Sequence, residues 1–219
     1  MLLITHQFKI RLPDEPSLFT GLVTLYTVGL VGHLVPATLS LMIWLTPFIL
    51  LLAGLMVLVP LYKEQPAKFW IWCTFIFTGT LIVEVIGVVT GDIFGSYEYK
   101  SALGPQLWNV PVIIGLNWLL IILGAIGISQ IIRNTALFPL SVGILVLLLD
   151  YFLEPVAVKL DYWEWNTHHI PLQNYLVWFV AGVICAIIYR ILRLKLKSHI
   201  PQSYFIIQLI FFAVLRLSL

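Results

Sequence analysis

Residues 136–158 read ALFPLSVGILVLLLDYFLEPVAV, a stretch that decides the fold and places the chemistry. It is 23 residues long and almost wholly apolar. A helix across a hydrocarbon core of about 30 Å needs roughly 20 such residues. Near its end stand two acids, Asp150 and Glu154, four residues apart and therefore on one helical face. An acid at the centre of a spanning helix costs about 2.5–3.5 kcal/mol on insertion scales, so such residues generally face the bundle interior and serve a site. Two carboxyls that close in low dielectric do not both ionise readily, which suits a proton donor beside a proton acceptor.

Working outward, further apolar runs cover Ser17–Val35, Ala37–Val59, Phe69–Thr90, Pro111–Ile132 and Asn174–Leu192. A seventh, Pro201–Leu217, is shorter and interrupted by Gln208 and Arg216. Lipid offers no partner for free backbone groups, so each run is expected to be helical. The expectation is an all-α, polytopic membrane helix bundle of six to seven transmembrane helices, forming a single integral membrane domain over residues 1–219. Composition agrees: 61% of the residues are hydrophobic and 10% charged, where a soluble domain has roughly a quarter charged. A soluble enzyme, a nucleic-acid binder and a disordered tail are excluded. Cys73 and Cys185 both lie in apolar runs and read as small core residues rather than a disulfide. Lys9, Arg11, Asp14 and Glu15 leave no apolar h-region near the start, so no cleaved signal peptide is expected.

Charge placement gives direction. With seven spans and the N-terminus in the cytoplasm, Lys9, Arg11, Lys63, Lys68, Arg133, Arg190, Arg193, Lys195 and Lys197 are cytoplasmic, against Lys100, Lys159 and Arg216 outside. Nine against three predicts a cytoplasmic N-terminus in the cell membrane. The acids sort the other way. Glu84, Asp92, Glu98, Asp150, Glu154, Asp161 and Glu164 fall in the outer half of the third and fifth spans or in the loops after them. His33, Asn117, His168, His169 and Asn174 share that level, so the site is expected near the outer face. Glu84 stands on a stripe with Thr80, Gly87 and Gly91, small and polar enough for close packing or a cavity.

A sub-pattern occurs twice. Glu84 is followed fourteen residues on by Glu98, within Tyr97-Glu98-Tyr99, and Asp150 fourteen residues on by Glu164, within Trp163-Glu164-Trp165. Each unit runs to a proline opening the next span, Pro111 or Pro171, with Trp118 or Trp178 seven residues further. Proline in a first helical turn is ordinary, as is tryptophan near an interface. The coincidence of all four predicts a parallel internal repeat, helices 3–4 matching helices 5–6 about an axis along the membrane normal, unlike the inverted repeats of many transporters. It sets Glu84 and Asp150 at equivalent depths beneath two aromatic loops. An aromatic belt is the plain alternative for those rings, yet ring faces also stabilise cations.

Buried proton donors, electron-rich rings, an apolar surround and water from one side suit protonation of an isolated carbon–carbon double bond. The tertiary cation is then captured by water or by an internal double bond. No Gly-rich phosphate loop, redox-cofactor fingerprint or nucleophile elbow occurs, and no cofactor is expected. His168 and His169 lack zinc-site spacing, so no metal is expected.

Glu84, Phe94-Gly95-Ser96-Tyr97-Glu98-Tyr99, Leu103-Gly104-Pro105, Val110-Pro111 and Trp118 resemble one block of the multi-span carotenoid-biosynthesis family. Asp150-Tyr151-Phe152-Leu153-Glu154-Pro155, Trp163-Glu164-Trp165, Ile170-Pro171, Asn174 and Trp178 resemble the other. Together they cover Thr80 to Trp178, and the combination of F-G-x-Y-x-Y with D-x-x-x-E-P is what makes the likeness specific. Members include the carotenoid 1,2-hydratases. The resemblance implies a hydro-lyase that adds water to the terminal double bond of an acyclic end group, as in lycopene, gamma-carotene or bacterioruberin precursors. The implied partners are a bilayer-dissolved carotenoid and the lipid itself, with no nucleic acid. A homo-oligomer, or association with other carotenoid enzymes, is compatible with it.

The roles of single side chains rest on the physical argument. Asp150 or Glu84 is expected to be the general acid, with the other and Glu154 handling the water. Tyr97, Tyr99, Trp163, Trp165, Trp118, Trp178 and Phe94 are expected to shelter the cation, and Asn117 or Asn174 to orient the water. Three alternatives stay open: an end-group cyclase or isomerase with the same cation step in a dry pocket, a proton-coupled transporter with carboxylates reached from both sides, and an assembly or scaffold subunit, which would need no clustered acids.

Overall fold

The computed structural model describes residues 13–167 and 169–219, with only the backbone of Lys63. Lys9, Arg11 and His168 of the readings above lie outside the described residues. Among the described residues seven α-helices follow in order: α1 Glu15–Leu34, α2 Pro36–Leu58, α3 Ala67–Thr90, α4 Ile113–Ser129, α5 Leu137–Lys159, α6 Leu172–Ile191 and α7 Ile200–Ser218. Six are long and apolar enough to cross a membrane, and the chain is an integral membrane protein built as a helix bundle. The helix starts have local causes. The Asp14 carboxylate accepts from the Ser17 amide at 3.1 Å, capping α1. Pro36 stands in the first turn of α2, where its missing N–H costs nothing. Gly91 ends α3 in the left-handed region at φ 71°, returning its amide to the Gly87 carbonyl.

The short helix is α4, not the interrupted seventh segment. At 17 residues it is below full spanning length, and 14 of those residues are buried. It is the central helix, packed by α2, α3, α5, α6 and α7, so its ends are met by protein. The sequence reading began this helix at Pro111. Instead Val110–Pro111 forms strand β3 against β2 Gln106–Leu107. The tight turn between them uses Trp108 and Asn109 at φ 47° and 64°, the positive-φ pair that a two-residue hairpin demands. Conversely, α7 runs 19 residues without a break. Gln208 is buried within it, while Arg216 lies 3.9 Å over the ring of Tyr151 near its end.

The loops after α3 and α5 meet as two strands, β1 Tyr97–Tyr99 and β4 Trp163–Trp165. They pair antiparallel with Tyr97 opposite Trp165, Glu98 opposite Glu164 and Tyr99 opposite Trp163. The register is centred on the Glu98–Glu164 pair. Trp118 and Trp178, a second matched pair, stack with ring centroids 3.4 Å apart and planes 17° apart. The expected sequence repeat does not extend to Glu154 and Leu160, whose counterparts 66 positions earlier are Val88 and Phe94. Lys100 bridges the two facing strand acids, pairing with Glu98 and, at 3.0 Å, with Glu164. Those two acids therefore serve the strand pair rather than the interior.

Candidate active site

Two helices bring three carboxyls to the bundle interior: Glu84 from α3, and Asp150 and Glu154 from α5, at 3%, 0% and 4% exposure. Each is gripped by polar atoms of the aromatic residues around it. Glu84 Oε1 accepts from the Trp118 indole N–H at 3.1 Å, and Oε2 from the Tyr97 hydroxyl. Glu154 Oε2 accepts from both Trp163 and Trp165 indole N–H groups, at 3.0 Å each. The Asn174 amide, at the start of α6, spans the other pair, donating to Glu154 Oε1 at 3.1 Å and Asp150 Oδ2 at 2.9 Å. Asp150 Oδ1 is buried with no hydrogen-bond partner among the described residues.

These groups surround a cavity of about 20 Å³. One water needs about 10–15 Å³ and two to four polar partners, so the space fits a single water. No cationic side chain is among the hydrogen-bond partners of the three carboxyls. Coulomb repulsion in low dielectric therefore keeps all three from ionising together. Above them, the Tyr97 and Tyr99 phenols are pushed well above their ordinary range, first by burial and next by the neighbouring Glu84 charge. Both remain hydroxyl donors at any physiological pH.

Of the twelve residues expected at the site, eleven line this cavity: the three carboxyls, Tyr97, Tyr99, Trp118, Trp163, Trp165, Trp178, Asn117 and Asn174. Phe94 does not. It stacks on Trp178 at 5.2 Å and fills the space beside Gly87, because the helix-ending turn at Gly91 folds the chain back over α3. Tyr97, Trp118, Trp163 and Trp165 present polar edges to the carboxyls as well as ring faces, a double use that residue type alone did not reveal. Asn117 faces the cavity but spends its Oδ1 on Gln208 of α7, whose Nε2 donates at 2.9 Å. The signal for Gln208 was present in the sequence, as a polar residue inside an apolar run. Tyr162, bonded to Thr46 of α2 at 2.8 Å, had no such signal. His169 turns its ring nitrogen to the Thr167 carbonyl at 2.8 Å. Among the described residues no three metal-ligating side chains come together.

Residues 45–218 match the family described as carotenoid biosynthesis protein. A curated relative, the bisanhydrobacterioruberin hydratase of Haloarcula japonica, is 30% identical over 118 residues. That stretch covers 49% of this chain and 40% of the relative, so less than half of the relative's length is represented. No solved structure matches the chain.

Proposed function

Since the chain belongs to the carotenoid biosynthesis protein family, we propose that it is a carotenoid hydratase, adding water to the terminal double bond of an acyclic end group. The observation that carries this reading is the meeting of three carboxyls around a space for one water, walled by indole and phenol rings. The curated relative, named as a hydratase, supports the same reaction class.

In this mechanism Asp150 is the general acid. Its Oδ1 is the one carboxyl oxygen of the cluster without a partner and is free to present a proton. Both oxygens of Glu84 are engaged by Trp118 and Tyr97. The proton goes to the less substituted alkene carbon, leaving a tertiary cation at the branched carbon. Ring faces of Trp118, Trp163 and Trp165 stabilise it, an effect of about 2 kcal/mol or more per desolvated contact, while Trp178, stacked on Trp118 and Phe94, backs that wall. Water adds to the cation, and Glu154 takes the released proton. Three N–H donors converge on Glu154 and none of them is an acceptor, an arrangement matched to a carboxylate. Return of that proton to Asp150, bonded to the same Asn174 amide, resets the site. One water is consumed and no electrons are transferred.

A cyclase would need water excluded, and the polar lining of the cavity favours hydration instead. A transporter would need polar groups through both halves. Apart from Ser129 and Ser198, the buried polar residues sit in the loop half or mid-bundle. We place the loop end at the outer face of the cell membrane, with the N-terminus in the cytoplasm, on the strength of the basic residues at the opposite end.

Expression beside a lycopene or gamma-carotene pathway tests the reaction. Pigments should gain the mass of one water, and Asp150→Asn should abolish the gain while protein remains in the membrane. Wild-type conversion by that variant would remove Asp150 from the mechanism, and unchanged pigments with the native chain would refute hydration.

A further inference from the structure

Beside the carboxyl cavity lies a larger chamber, of about 150 Å³, between α1, α2, α4, α5 and α7. A protein cavity of about 150 Å³ lined by apolar side chains takes up benzene, so this one has room for a single branched hydrocarbon chain end. The two spaces share a wall: Ile114, Asn117, Leu153 and Trp163 line both.

The chamber is closed from the bilayer by very little. Helices α1 and α2 touch where Gly21 faces Met56 and where Gly32 faces Met42; a Cβ on either glycine would collide with the methionine. Between these contacts, Leu25 and Val28 of α1 and Leu45 and Ile49 of α2 line the chamber. Val28 is also 61% exposed on the outside, so one side chain separates the interior from lipid. Both contacts that flank this thin section are methionines, the most adaptable of apolar side chains. Leu25 and Val28 belong in addition to an open groove that follows α1 back to Pro16. Thr20 and Thr24 line that groove, and each turns its hydroxyl to a backbone carbonyl at 2.9 Å, which leaves methyl groups outward.

A polar group inside the chamber also points to a ligand. Gln208 is 1% exposed and lines it, and its Oε1 has no partner among the described residues. A buried carbonyl without a donor is costly, so a ligand that brings a hydroxyl is favoured there.

We propose that this chamber seats one end of a linear isoprenoid chain, admitted sideways from the bilayer between α1 and α2. The rest of the chain lies in the groove along α1, and Gln208 accepts a hydrogen bond from the hydroxyl that the end group gains. The inference rests on the hydratase reading for what happens to the seated end, but it concerns binding, which is measured separately.

The test uses the full chain in phosphatidylcholine nanodiscs with lycopene as probe. Lycopene is achiral, so visible circular dichroism appears only when a chiral site holds it. The wild type and Asp150→Asn should both show the induced band. Gly29→Leu should fill the chamber, since a Cβ there meets only Phe211 at an ordinary 3.7 Å. Val28→Trp should block the window from an exposed position where folding is tolerant. Each should weaken binding and conversion at least tenfold. Gly29→Leu and Val28→Trp proteins that bind and convert lycopene like the wild type would overturn the chamber while leaving the reaction standing. Binding without any conversion by the wild type would do the reverse. For Gln208, the wild type should bind the singly hydrated chain at least threefold more tightly than lycopene, and Gln208→Met should erase that preference. Equal wild-type affinities would overturn the assignment of Gln208.

Discussion

Glu154 has the most donors of the three carboxyls, and a substitution there shows what the arrangement requires. In Glu154→Gln, the new amide can turn its oxygen toward Trp163 and Trp165, but its NH₂ then faces the Asn174 NH₂. Turning Asn174 to relieve this takes a donor away from Asp150. We expect conversion to fall by a hundredfold or more, and stability by about 1–3 kcal/mol, the usual effect of an unmatched buried polar group. Pigment mass analysis and thermal unfolding in detergent measure the two. Trp163→Phe and Trp165→Phe each keep an aromatic ring but remove one N–H, so each should slow conversion less than Glu154→Gln. At this scale the sequence showed which residues belong together, because Asp150 and Glu154 share a helical face and acids within spans are rarely idle. It did not show that the indoles serve as donors to the acids. Tryptophan near a membrane interface has an ordinary explanation, and the direction of an N–H is set by tertiary packing.

Among the elements, the pair α5–α6 has the most extensive contact, and it depends on a crossing of two glycines. A Cβ on Gly182 would lie 3.1 Å from the Gly143 Cα, and one on Gly143 would lie 2.8 Å from the Phe179 carbonyl oxygen. The two backbones meet there as small residues allow in membranes. Gly143→Leu should force the helices apart, with an overpacking loss of about 1–3 kcal/mol. Conversion should fall as well, since α5 carries both Asp150 and Glu154 two and three turns further on. A lower unfolding temperature with wild-type conversion would show that the site tolerates the shift. The helices themselves were readable from hydropathy to within a few residues, including α7 despite its polar interruptions. The start of α4 was not, because Val110 and Pro111 are as apolar as a helix start. Only the turn at Trp108 and Asn109 commits them to a strand.

For the whole molecule, the basic residues of the loops opposite the site predict its orientation. A reporter active only in the cytoplasm should work when fused at the N-terminus and be silent when fused at the C-terminus; the opposite result would place the site on the inner face. Much of the architecture followed from where charge was allowed, since acids and bases in so apolar a chain have few tolerable positions. The matching loop patterns marked Glu98 and Glu164 as counterparts, but their meeting as paired strands was not legible in the sequence. Nor was the chamber, as α1, α2 and α7 reach it through contacts far apart in the chain, such as Tyr162 with Thr46 and Asn117 with Gln208.

A chamber of about 150 Å³ admits one terminus of a long molecule and leaves the other far away in the lipid. Any substrate with two reactive ends must then be handled distributively: it leaves after the first turnover, reverses in the bilayer and returns. The half-finished, asymmetric compound would be a free species in the membrane, open to capture by other enzymes before the second round.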